Sequence, residues 1–166
     1  DIWVAQRSTR DGPWETATNL GPPVNTLASE GAPELSDDGH LLFFASTRPD
    51  GNGQSDLWLS RRDDPRNDLG WGAPTHLGPE INDAGFQSGP SYRQNAEDGT
   101  ANLYFYSGAN NGSAADIHYV PVTRDGETRG PAVNVAVCLV TGITLFFLTG
   151  GVVPLNPFRP MPPIDF

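Results

Sequence analysis

The chain has no lysine. All ten of its cations are arginine, set against 20 Asp and Glu, for a formal charge of −10. An acidic chain without a basic stripe argues against nucleic acid and against an anionic membrane surface as partners. A single cysteine, Cys138, leaves no internal disulfide to staple the fold. Its apolar surroundings read as inert packing. Signatures of catalysis are missing as well: there is no Gly-x-Ser-x-Gly and no His-Glu-x-x-His. The three histidines, His40, His76 and His118, fall singly, without metal-ligand spacing. Gly51-Asn52-Gly53 runs into a strand pattern rather than a helix, so a dinucleotide-binding loop fails its context. No catalytic, cofactor-binding or metal residue is assigned on these grounds.

What is plentiful is punctuation. Gly and Pro number 19 and 16 in 166 residues, too many breakers for a helical bundle and too little period for collagen. The length suits about one domain. Three blocks recur in one order. Asp1-Ile2-Trp3-Val4-Ala5 returns as Asp56-Leu57-Trp58-Leu59-Ser60 and, more weakly, as Asp116-Ile117-His118-Tyr119-Val120. Trp14 to Asn25 matches Trp71 to Asn82, with a remnant in Gly130-Pro131-Ala132-Val133-Asn134. Ala32 to Ser46 finds its partner in Gly89 to Tyr92, Asp98-Gly99 and Leu103 to Ser107. The period, about 55 to 60 residues, is that of a supersecondary unit that buries its faces against copies of itself.

Within one unit the pattern predicts four short strands: Ala32 to Leu35, Leu41 to Ser46, Asp56 to Arg61 and a weak one at Pro74 to Leu77. Turn residues separate them, with Asp38-Gly39 the strongest hairpin signal. Four strands in a repeat of this length suggest a propeller blade. The expected fold is all-β, a partial β-propeller of four-stranded antiparallel blades. Its expected parts are a half blade over 1–27, full blades over 31–83 and 88–135, and an atypical apolar, then Pro-rich, segment over 136–166. Two and a half blades leave apolar faces wet. At roughly 25 cal/mol per Å² an open face of several hundred Å² forfeits on the order of ten kcal/mol. Further blades or other chains are therefore expected to close the ring.

The stretch from Pro33 through Ser36-Asp37-Asp38-Gly39, the apolar strand to Ser46-Thr47-Arg48, the Gly-rich turn and Asp56-Leu57-Trp58 resembles the TolB-type, WD-repeat-like β-propeller unit. Asp37 stands where that family has Pro, and the second copy lacks the Arg after Ser107. The resemblance covers about residues 1–135. It implies a propeller, commonly exported in bacteria to the periplasm or outside the cell, that binds or scaffolds a protein or glycan partner. It implies no reaction. The alternative it leaves open is the non-catalytic propeller part of a hydrolase, a peptidase or glycosidase whose catalytic residues lie elsewhere.

Candidate residues follow from position. Arg48, Arg61, Arg62, Arg66 and Tyr92 are placed in loops at one mouth of the propeller, as partner contacts. Asp1, Asp56 and Asp116 precede a strand, where a carboxylate accepts turn N–H groups. Trp3 and Trp58 read as packing between blades, with an aromatic platform for sugar or peptide as the alternative. Asp50 to Asp56 faintly resembles a calcium loop but lacks the Glu that would complete it. Glu30, Glu34, Glu80 and Glu97 are the carboxylates available for glycoside chemistry, and nothing pairs two of them. Asn111-Gly112-Ser113 fits a glycosylation acceptor, incidental in a bacterial chain. The charge-free run 137–153 is expected either as buried strands, Val137 to Val140 with Thr144 to Leu148, or as a short membrane helix, in which case it is the one membrane contact. The ends read as a cut or mature start at Asp1 and an appended or out-of-register stop.

Overall fold

The computed structural model of the chain describes residues 1–95, 99–109 and 115–135. Among the described residues, ten strands fall into three sheets, every neighbouring pair antiparallel. The first sheet has two strands, β1 (Trp3–Val4) and β2 (Thr18–Asn19). The middle sheet is a four-strand meander of β3 (Glu30–Leu35), β4 (Leu41–Ser46), β5 (Asp56–Arg61) and β6 (Thr75–His76). The last sheet repeats it with β7 (Phe86–Gln94), β8 (Ala101–Gly108), β9 (Asp116–Val122) and β10 (Val133–Asn134). β4 and β5 keep the bounds expected from their apolar pattern. β3 starts two residues earlier than expected, and β6 is reduced to two residues.

The turn between β3 and β4 shows why Asp38-Gly39 punctuates the chain. Gly39 adopts φ 74°, open to glycine without cost, and its N–H donates to Ser36 O at 2.9 Å. The Ser36 hydroxyl donates to Asp38 Oδ1 at 2.7 Å and accepts Leu41 N–H at 3.0 Å. That hydroxyl is the chief reason the Asp38 carboxyl sits below its ordinary pKa. β3 and β7 carry the same irregularity, a register shift at Gly31/Glu34 and at Ser88/Ser91. At its centre stand Ala32 with φ 47° and Gly89 with φ 60°.

The sheets stack and enclose two apolar slabs. One holds Ile2 and Val24 against Leu42, Phe44, Trp58 and Trp71. The other sets Leu41, Phe43 and Leu59 of the middle sheet against Tyr92, Leu103, Phe105 and Val120 of the last. All six residues of β4 are buried because its two faces feed different slabs. Gly126, at φ 81° in the turn between β9 and β10, lies against Leu59, Phe43 and Leu41 across the second slab.

Strand pairing fixes which positions are equivalent. Trp3 faces Asn19, Trp58 faces His76 and His118 faces Asn134. Asn134 therefore stands where Asn19 and His76 stand. The sequence remnant that set it beside Asn25 and Asn82 was one block out of step. Cys138, Glu97, Asn111, the run 137–153 and the Pro-rich tail lie outside the described residues. No helix among the described residues is long and apolar enough to cross a membrane.

Candidate functional site

The five residues placed at a propeller mouth by sequence do not share one surface. Arg48 is an interior group, its side chain 9% exposed. Its Nη2 donates to Val24 O at 2.6 Å and lies 3.6 Å from Glu30, and its Nε donates to Ser46 Oγ at 3.1 Å. The guanidinium covers the Trp58 ring at 4.8 Å and the Phe44 ring at 5.2 Å. Burial pulls its pKa below the ordinary arginine value, against the opposing pull of Glu30 and Asp50. Arg62 is likewise interior, over Trp71 at 4.4 Å, paired with Asp68 at 3.2 Å and donating to Gly39 O at 2.7 Å. Tyr92 belongs to the second slab, stacked on Phe43 at 5.4 Å, and burial raises its phenol pKa. Loop position hid this, because a planar guanidinium packs on aromatic faces as readily as it faces water.

Arg61 and Arg66 are at the surface. Arg66 pairs with its own neighbour Asp64 at 3.0 Å. Arg61 donates to Glu127 at 2.5 Å and to Asp125 O at 2.9 Å. It lines a polar cavity of about 240 Å³ shared with Thr75, His76, Glu127 and Thr128.

The recurring aspartates anchor strands. Asp56 Oδ2 accepts the N–H groups of Asn52 at 2.8 Å and Gly53 at 3.2 Å. Each aspartate also meets the residue that faces the position two further along its strand. Asn19 donates to Asp1 at 2.8 Å, Asn134 donates to Asp116 at 3.0 Å, and His76 lies 3.8 Å from Asp56. A second recurrence involves asparagine. Asn25 accepts from Ile2 N and donates to Ile2 O, both at 2.8 Å. Asn82 does the same to Leu57, at 2.8 and 2.9 Å. One amide thus satisfies both backbone groups of a buried residue, which explains an Asn at that place in the repeat.

The carboxylates are committed locally. Glu30 accepts from Thr26 at 2.6 Å and neighbours Arg48, while Glu34 accepts from Tyr92 N–H and from Arg93, each at 3.1 Å. Among the described residues no cluster of three or more His, Cys, Asp and Glu is arranged to hold a metal ion.

One open apolar cavity was not anticipated from the sequence. A cavity of about 220 Å³ lies at the border of the first and middle sheets, lined by Ile2, Trp3, Leu35, Leu42, Trp71 and the Arg62–Asp68 pair, among others. Trp3 and Leu35 stand 58% and 50% exposed there. The signal was present in the repeat, since Trp58 and Tyr92 occupy the equivalent places and are 5% and 3% exposed.

Comparison of the chain with family models, curated proteins and solved structures gave no match.

Proposed function

We propose that the sheets are blades of a β-propeller and that the chain is a non-catalytic binding or scaffolding module of the bacterial cell envelope, with a protein or glycan partner. One observation carries this reading. The middle and last sheets are the same four-strand meander, with the same bulge and the same Asp-led strand, and the first sheet is the outer half of that unit stacked in sequence. A repeated, face-packed unit presents a rigid array of loops, which suits recognition. The interior arginines and engaged carboxylates are consistent with structural use of the charged groups. The envelope location and the TolB-type kinship rest on the resemblance of Pro33 to Trp58 alone.

The test is equilibrium binding of the purified chain to immobilised peptidoglycan glycan and to envelope proteins, with mass spectrometry of the glycan and of peptide substrates after prolonged incubation. Saturable binding without product supports the module. Release of cleaved peptide or sugar refutes the non-catalytic part, and absence of saturable binding to either class refutes the binding role.

A further inference from the structure

The Gly-rich turn between β4 and β5 sets Asn52 directly before Gly53, and no other described Asn precedes a Gly. That pair is chemically weak. Glycine puts no Cβ beside its own nitrogen, so the Gly53 nitrogen has open access to the side-chain carbonyl carbon of Asn52. When that N–C bond forms, the Cγ–Nδ2 bond of Asn52 breaks. The Gly53 N–H proton passes through solvent to the departing ammonia, and a five-membered succinimide remains. Water then opens the ring. One opening leaves an aspartate, the other an isoaspartate whose main chain runs through the side-chain methylene. The sum is amide and water going to carboxylate and ammonium, with water as the only co-reactant.

The folded turn withholds what this attack needs. Asp56 Oδ2 accepts the N–H of Asn52 at 2.8 Å and that of Gly53 at 3.2 Å, which ties down the attacking nitrogen. The next N–H, of Gln54, donates to Gly85 O at 3.0 Å in the loop that leads into β7. Space is short as well. A Cβ on Gly53 would overlap Gly85 O, and one on Gly51 would overlap the Asp56 carboxylate. The turn is thus gripped between β5 and the loop 83–85, both of them parts of the four-stranded sheets and their connection. The Asn52 side chain alone stands outside the grip, exposed and without a hydrogen-bond partner among the described residues.

We infer that Asn52–Gly53 is a site of spontaneous deamidation, shut while Asp56 holds the turn and open when the tip of the β4–β5 hairpin lets go. The change is one-way. It sets a second carboxylate beside Asp56, and like charges at that distance repel. The isoaspartyl form also adds a backbone atom where Gly51 and Gly53 leave no room. A modified Asn52 therefore records that this tip has opened. The inference is independent of the binding reading above.

The test follows the peptide spanning Asn52 by mass spectrometry at neutral pH, in the folded whole chain, in a free synthetic peptide of segment 47–58, and in the whole chain at rising urea below its unfolding midpoint. The folded chain is expected to deamidate at least tenfold more slowly than the free peptide. Its rate should rise with urea in step with amide exchange at Gly53. Asp56→Ala, checked for fold by circular dichroism, should speed the reaction at least fivefold, while Asn25→Ala, which loosens the first sheet instead, leaves it within twofold. If Asp56→Ala does not fold, the urea series and the Gly53 exchange decide alone. A folded chain within twofold of the free peptide, a rate indifferent to urea, or equal acceleration by the two variants overturns the inference.

Discussion

β4 and β8 are equivalent strands with different surroundings. β4 reads Leu-Leu-Phe-Phe-Ala-Ser and is buried along its whole length, while β8 reads Ala-Asn-Leu-Tyr-Phe-Tyr-Ser-Gly and alternates. Where β4 places Phe43 and Ala45, β8 places Tyr104 and Tyr106; where β5 places Leu59, β9 places Tyr119. Aromatic rings pair along the more exposed side, Tyr104 with Tyr119 at 5.8 Å and Phe86 with Tyr106 at 5.9 Å. A strand covered on both faces is written as a continuous apolar run, and one covered on a single face alternates with rings that tolerate water at one end. Ile117, 60% exposed where its equivalent Leu57 is fully buried, departs from that economy.

Truncation of one ring on each of these two strands should break the symmetry most visibly. Phe43→Ala in the second slab is expected to cost about 3–5 kcal/mol, and Tyr106→Ala, 38% exposed, about 1 kcal/mol or less, both by urea unfolding. Asn82→Ala leaves the buried N–H of Leu57 without its partner, while Leu57 O keeps the Leu77 N–H at 3.1 Å. It should cost about 1–3 kcal/mol, and Asn25→Ala a similar amount at Ile2, which hydrogen exchange at those two amides would localise. The turn at Asp38 adds a pH dependence. Its carboxyl is held low in the folded chain, so its contribution is present above the ordinary carboxylate pKa, about 4, and is lost as pH falls through the lowered value. A melting series from pH 7 to 2 should show Asp38→Asn less stable at neutral pH, by under about 1 kcal/mol at this solvent-screened site, and level with the native chain at the acid end. The smallest effect concerns the paired bulges. Ala32→Gly relieves a left-handed alanine and should gain about 0.5 kcal/mol, whereas Gly89→Ala introduces that strain beside the Tyr106 ring and should lose more. Thermal melts resolve both signs.

Much of this organisation was legible before any coordinates. The bounds of β4 and β5 follow from apolar runs closed by Asp-Gly and by a Gly-rich turn, both local signals. The order of the sheets follows from repetition. Side-chain burial was less legible. Arg48 and Arg62 lie in loop sequence, yet their fate depends on Trp58 and Trp71, which reach them only after the sheets have stacked. Tyr92 looked like a rim residue because its sequence block opens on Gly89-Pro90, yet it lies well inside β7 and stacks on Phe43 in the second slab. The cavity beside Trp3 could not be seen locally, since it is defined by what the first sheet lacks relative to its neighbours.

The buried Gly126 gives the molecule a built-in gauge. The tip of the β9–β10 hairpin closes over Leu59 and Phe43 like a stopper. A side chain added at Gly126 would therefore act as a wedge between the two larger sheets.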